Sequence, residues 1–383
     1  MIFMVPPIGE AEHGVLGRID EIRNNLKYAL QTPKRWTGFL RRNLIAHAIR
    51  GSNSIEGYVA TFEQAVAAAE GEQPLDSQSE TWLNIFGYRN ALTYILQLSD
   101  DPYCVLNEEL IRGLHYTMLV HDLKKNPGRW RPGPILVRHE PTGDIVYRGP
   151  DAERVPKFMR ELTDSLQHFD TQQHVIVRAA MAHLNIVMIH PFSDGNGRMG
   201  RAVQTLVLSR DGILEPPFAS IEEYLGARAN TQEYYQVLEQ VGTGSWHPEH
   251  DARPWLRFCL RAHFRQAMTV ARRAKETASL WNELEAEVTR RHLPERVIFA
   301  LADGAIGLSV RSPRYRALTE VSMQVASRDF AALVREGLLA PKGEKRGRSY
   351  VASETLLAIR DKTREPRPQV DDPFTSQQLT LAV

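Results

Sequence analysis

The fifteen residues Val175–Ile189 constrain this chain more than any other stretch, because they are apolar on nearly every face. A helix with one polar side can lie on a surface, whereas a helix without one must be enclosed by other elements. The stretch therefore predicts a bundle built around it. Helical spacing supplies candidates for the surrounding layer. Leu16, Ile19, Ile22, Leu26 and Leu30 recur at steps of three and four, up to a Thr32-Pro33 break. Leu40, Leu44, Ile45, Ala48 and Ile49 follow, ending in Ser52-Asn53-Ser54-Ile55-Glu56-Gly57, where Gly57 is a natural stop. Further helices are expected over about residues 78–98, from Arg201 onward, over 224–241, and over 267–289 with Ala274, Ala278, Trp281, Leu284 and Val288 in one stripe. Ile135-Leu136-Val137 and Ile145-Val146-Tyr147 bracket the turn residues Glu140-Pro141-Thr142-Gly143-Asp144, which predicts one β-hairpin over 135–147. The fold class is mainly α.

At 383 residues the chain is too long for one ordinary core. The expected division is an N-terminal helical region over 1–97, a core over 98–265, a connecting helix over 266–289, a small module over 290–356, and a disordered tail from 357, rich in Pro, Asp and Gln beyond about Glu365. No run of about 18 uncharged apolar residues occurs, so no membrane partner is expected. The first seven residues lack a basic segment followed by a long apolar one, and secretion is not indicated. Two cysteines, Cys104 and Cys259, fit a reducing cytoplasm and exclude a disulfide framework. The net charge of +1 hides an asymmetry: residues 290–350 hold twelve Lys/Arg against six Asp/Glu, leaving the remainder at −5. In that module Ser322 can cap a helix carrying Val325, Phe330, Leu333 and Val334, stopped by Gly337. Leu338-Leu339 and Tyr350-Val351 then bracket a basic turn, Lys342 to Arg348, the grammar of a winged helix-turn-helix with DNA as a candidate partner.

Chemistry concentrates directly after the apolar helix, in His190-Pro191-Phe192-Ser193-Asp194-Gly195-Asn196-Gly197-Arg198-Met199-Gly200-Arg201. Pro191 ends the helix and leaves His190 at a helix–loop junction, placed to face a cleft. Gly195-Asn196-Gly197 opens the next helix, where glycines let backbone N–H groups approach an anion at the positive end of the helix dipole. Arg198 and Arg201 lie on one side of that helix as two cationic forks. Asp194 supplies an oxygen for a hard divalent cation bridging phosphates, and Phe192 plugs the core under the loop. A base, an anion nest, a carboxylate and two arginines describe a site for transfer at the phosphates of a nucleotide.

This segment resembles the Fic (filamentation induced by cAMP) family motif H-P-F-x-D/N-G-N-G-R-x-x-R at every fixed position. The resemblance runs over about residues 52–260 and implies a Fic-type helical bundle with a β-hairpin flap, for which a C-terminal winged helix is a frequent companion. It implies adenylylation, the transfer of AMP from ATP to a Ser, Thr or Tyr hydroxyl of a target protein, itself included. His190 would be the general base, and Asp194 would hold Mg²⁺. The amides of Gly195, Asn196 and Gly197 would line the anion hole, with Arg198 and Arg201 on the outer phosphates. The hairpin would pair with the target backbone, and Tyr234 and Tyr235 would lie on the adenine side. Retention of Gly195 and Gly197 favours AMP transfer over the phosphate transfer of Doc-type relatives.

Ser52 to Gly57 also resembles the family's inhibitory motif, S/T-x-x-x-E-G/N, placed before the catalytic segment as in the class with an N-terminal inhibitory helix over about 40–57. A carboxylate in the last helical turn opposes the dipole and needs a cationic partner. By resemblance that partner of Glu56 is Arg201, drawn away from the γ-phosphate, and dimerisation is sometimes tied to this inhibition. Other features have plainer readings. His183 is a core histidine, Trp246 and Trp255 are core aromatics, and His247-Pro248-Glu249-His250 lacks the helical spacing of a His-Glu-x-x-His metal site. Two rival functions remain: a DNA-binding regulator with the nucleotide site as sensor, and a transferase of UMP or a phosphoryl group, or one that removes AMP. The intact His190 argues against a sensor, since anion binding needs only the glycines and arginines.

Overall fold

The computed structural model describes residues 1–30, 34–72, 79–138, 143–168, 170–210, 212, 214–344, 348–367 and 371–375. The Thr32-Pro33 break, residue 78, the turn residues Glu140, Pro141 and Thr142, residues 345–347 of the basic turn and much of the tail lie outside them. The chain divides into two units. One comprises Met1–Pro33, Arg41–Thr269 and Val370–Val383, and the other Lys34–Leu40 and Val270–Gln369.

In chain order the first unit holds α1 (Glu10–Leu30), the larger part of α2 (Arg35–Ile55), α3 (Phe62–Ala69), α4 (Glu80–Leu98) and α5 (Glu108–Leu119). The hairpin strands β1 (Leu136–Arg138) and β2 (Ile145–Arg148) come next, then α6 (Val155–Gln167), α7 (Val175–Ile189) and α8 (Asn196–Ser209). The short α9 (Pro216–Ala219) and α10 (Glu222–Leu225), α11 (Arg228–Gly242) and the start of α12 (Arg253–Arg290) complete it. Polar residues begin several of these helices by accepting from otherwise unpaired amides. Thr61 forms a capping box with Gln64 at α3, Ser79 accepts from Trp82 N at α4, and Asn107 accepts from Leu110 N at α5.

Thirteen of the fifteen residues of α7 are buried, so it is the central helix. It packs along α8, which is buried over almost its whole length, and α4, α5 and α6 pack on this pair. Because α7 and α8 are joined by only six residues, 190–195, the loop between them sits over the middle of the core. The hairpin is antiparallel, with Leu136 opposite Arg148 and Val137 opposite Tyr147. Tyr147 anchors it by donating from its hydroxyl to Met188 O at 2.8 Å, close to the end of α7.

Two helices differ from their sequence reading. The stretch 224–241 is not continuous: α10 ends at Leu225 and α11 begins at Arg228 after an extended Ala227. Gly226 lies at this break against Gly51 of α2, where a side chain would collide with backbone. The helix expected from 267 begins instead at Arg253, because Trp255, Leu256, Phe258, Cys259, Leu260 and Ala262 extend the buried face N-terminally.

The second unit contains the rest of α12, α13 (Ile298–Ala305), α14 (Ser312–Thr319), α15 (Met323–Arg335), β3 (Leu339–Lys342), β4 (Ser349–Ala352) and α16 (Glu354–Lys362). Ser322 caps α15 by accepting from Val325 N, and Gly337 takes φ +68° beyond its end. Strands β3 and β4 pair antiparallel, and Val310 exchanges two backbone hydrogen bonds with Tyr350. Phe330 stacks on Tyr350 at 4.5 Å, while Arg296 and the Tyr315 hydroxyl converge on Asp329. Helix α16 was not part of the sequence reading; Ser353 caps it. Among the described residues no helix is long and apolar enough to cross a membrane.

Candidate active site

The site is built at the α7–α8 junction. His190 terminates α7 in the left-handed region, φ 51° and ψ 59°, a conformation that costs a non-glycine residue of order 1 kcal/mol or more. Arg131 holds it there. This buried guanidinium donates to His190 O at 2.8 Å, to Gly133 O at 2.5 Å and to Pro150 O, while its own amide donates to Pro191 O at 2.9 Å. One side chain thus ties the α7–α8 loop to both flanks of the hairpin. His190 Nδ1 lies 3.2 Å from Val187 O. A carbonyl only accepts, so Nδ1 carries the hydrogen and Nε2 keeps its lone pair. Burial pushes the imidazole down to about 4, the Val187 carbonyl opposes this, and Arg131 reinforces it. His190 is therefore a neutral base at pH 7.

Behind it the loop is closed by Asn196. Its amide donates to Phe192 O and accepts from Phe192 N, both at 2.9 Å, so this side chain is structural while its backbone N–H remains at the helix start. Phe192 is fully buried and stacks on His115 at 3.7 Å with rings 5° apart. His115 accepts from Gly128 N at Nδ1 and faces Asp194 O from Nε2 at 3.0 Å, which makes it the neutral Nε2–H tautomer; burial pushes it to about 4. Gly195 is the N-cap of α8 with φ 76°, a geometry that favours glycine.

The two arginines project from α8 and are each about 1% exposed. Arg198 donates to Asn84 Oδ1 at 2.6 Å and lies over the Tyr58 ring. Arg201 donates from Nε to Ser52 Oγ at 2.8 Å, and from Nη2 to Ser52 O at 3.1 Å and to Glu56 Oε1 at 2.6 Å. Burial disfavours the Arg201 charge, but the Glu56 carboxylate more than offsets it and moves its pKa above the ordinary range. Among the described residues, Nε of Arg198 and Nη1 of Arg201 are buried without a hydrogen-bond partner. Glu56 follows α2 directly and its Oε1 rests against Gly197, so close that a Cβ there would collide with it. A carboxylate thus sits in the cradle that the first turn of α8 offers to an anion. Asp194 has its Oδ2 2.7 Å from Lys125 Nζ, and its Oδ1 accepts from Gly195 N. Burial raises its pKa, but Lys125 and then Arg198 reverse the direction, so the carboxyl is held below the ordinary range.

The structure brings His190, Asp194, Gly195, Asn196, Gly197, Arg198, Arg201, Ser52 and Glu56 together around one loop. Tyr234 is buried, near enough to Arg201 for each to influence the other's charge, and its hydroxyl lies 3.2 Å from Nε2 of the buried His183. Tyr235 is 48% exposed, and its hydroxyl donates to Ile55 O at 3.3 Å. Lys125, Asn84, Arg131 and His115 were not singled out from the sequence. They lie outside the motif by 59 or more positions, and no local pattern marks them.

Residues 105–208 match the Fic/DOC family. The chain is 28% identical over 261 residues to a Protein adenylyltransferase Fic of Nematostella vectensis, covering 67% of this chain and 56% of that one. It is 29% identical over 245 residues to a Protein adenylyltransferase Fic of Aedes aegypti, covering 63% and 44%. The chain spans about half the length of the curated relatives it matches. A crystal structure of a Fic family protein from Desulfovibrio desulfuricans G20 aligns with a TM-score of 0.58 at 24% identity, over 92% of this chain and 99% of that one, and so shares its fold.

Proposed function

We propose that this chain is a protein adenylyltransferase that moves AMP from ATP to a protein hydroxyl and is restrained by Glu56. The observation that carries this is the pairing of a neutral imidazole with a free Nε2 and two buried, unpartnered guanidinium donors at a glycine-opened helix start. Nε2 of His190 takes the proton of a Ser, Thr or Tyr hydroxyl as its oxygen bonds to the α-phosphorus. The bond from that phosphorus to the bridging oxygen breaks, and pyrophosphate leaves with the electron pair. The amides at the start of α8 and the donors of Arg198 and Arg201 stabilise the charge on the phosphates.

Mg²⁺, when bound, neutralises phosphate charge and orients the triphosphate. Asp194 fits as its ligand, since its carboxylate already holds a cationic group, the Lys125 ammonium. The hairpin exposes Leu136 and Ile145, surfaces suited to a target segment added as a strand. Tyr235 would lie on the adenine side. Helix α2 acts as an N-terminal inhibitory helix, with Glu56 standing where the γ-phosphate must contact Arg201.

In the second unit, the capped helix α15 followed by the β3–β4 hairpin supports a winged helix with DNA as partner. A cytoplasmic setting accords with the free thiols Cys104 and Cys259. The test is transfer of label from ATP carrying it on the α-phosphate, with Mg²⁺ and a cytosolic extract. Label on protein with Glu56→Gly that disappears in Glu56→Gly/His190→Ala is expected. No protein label in any variant, despite ATP binding, overturns the proposal in favour of a nucleotide sensor or another donor.

A further inference from the structure

The turn after α11 gathers three potential ligand side chains that the proposed transfer does not use. Helix α11 ends at Gly242, and Thr243 takes the left-handed conformation, φ 45°. The next residues curl back so that His250 N donates to His247 O at 3.1 Å. His247, Glu249 and His250 each present one ligand atom, all within 4.8 Å of one another. The two imidazoles stack at 4.9 Å with rings 21° apart, and His247 Nδ1 lies 2.9 Å from Glu249 Oε1.

We infer that His247, Glu249 and His250 form a binding site for a borderline divalent cation of the zinc class. Two imidazoles and one carboxylate are the donor set of a three-ligand zinc site that keeps a position open for water. Mg²⁺ and Ca²⁺, which take oxygen ligands, are excluded by the same set. Zinc bonds of about 2.0–2.2 Å to nitrogen and oxygen require a closer cluster. These side chains are at the surface and can close by rotation without moving packed core. Thr243 Oγ1 stands 3.1 Å from His250 Nδ1. In the liganded form it accepts the Nδ1 hydrogen and directs Nε2 at the metal, the second partner that ligating histidines ordinarily have.

The site also has a mechanical setting. Arg148 of β2 donates from its backbone N to Gly244 O at 2.9 Å and bridges to Ser245. Occupancy would stiffen the turn that supports the hairpin.

The test is competition for Zn²⁺ alone between the protein and a chromogenic chelator of micromolar affinity, with unfolding midpoints recorded without metal. One equivalent is expected on the wild type and on Asp194→Ala, and none on His247→Ala/His250→Ala at an unchanged midpoint. Thr243→Val should bind roughly tenfold more weakly. No equivalent on the wild type overturns the inference, as does one retained by the double histidine variant. Unchanged affinity in Thr243→Val would reduce the site to an adventitious surface pair and overturns it as a built site.

Discussion

Replacing Glu56 by glycine should release Arg201 for the nucleotide, and the structure allows the effect to be sized. The pair is 2.6 Å apart, with Arg201 about 1% exposed and the Glu56 side chain 25% exposed. Two unit charges about 4 Å apart at an effective dielectric near 20 attract by about 4 kcal/mol. A hydrogen bond to a charged group contributes about 1.5–3 kcal/mol net. Partial exposure of the carboxylate argues for about 2 kcal/mol, which corresponds to roughly 30-fold in the fraction of molecules whose Arg201 is free. Initial rates of label transfer at subsaturating ATP should therefore rise by roughly 30-fold in Glu56→Gly. The Ser52 contacts to Arg201 persist, so the fold should hold. Glu56→Gln keeps the shape over Gly197 but removes the charge, and its rate should fall between the two. Equal rates for wild type and Glu56→Gly, with equal ATP affinity, would falsify the restraint. A silent Glu56→Gln beside an active Glu56→Gly would show that the obstruction is steric and refute the electrostatic sizing.

Three further outcomes are expected. Because His190 is pushed down to about 4, mainly by burial, transfer by Glu56→Gly should stay level through pH 6.5 and fall only as pH approaches 4; an acid limb centred near 6.5 would contradict this. In Gly226→Ala the new Cβ would lie 2.5 Å from Gly51 Cα, where backbone cannot yield. That substitution should loosen α2, lower stability by about 1–3 kcal/mol and raise transfer in an otherwise native chain, and unchanged urea midpoint and rate would refute it. His115, His183 and His263 are depressed by burial to about 4, about 3 and about 3. The unfolded chain therefore takes up their protons first as pH falls below 6.5, so stability is full above that value and declines toward the folded pKa values. The loss is about 2 kcal/mol per group by pH 5. Urea midpoints equal at pH 7.5 and pH 5 would exclude it.

What the sequence determined by itself was local. The apolarity of 175–189 on nearly every face requires a central helix, and Pro191, Gly195 and Gly197 dictate where it ends and the next begins, since these effects act within one or two turns of chain. The same is true of Ser322 as a cap and of the strands at 136–138 and 145–148. Packing decided the rest. Periodicity identifies the side of a helix that is buried but not what it meets. The Lys125–Asp194 and Asn84–Arg198 pairs, spanning up to 114 positions, therefore have no signature in either segment. Tyr234 and Tyr235 are adjacent and chemically alike, yet one is buried against His183, Trp255 and Phe258 and the other exposed, because consecutive helical positions point about 100° apart and the packing of α7 and α12 determines which is covered. His247, Glu249 and His250 lack helical ligand spacing, and a turn brings them together instead. Only the fold of the backbone makes them neighbours.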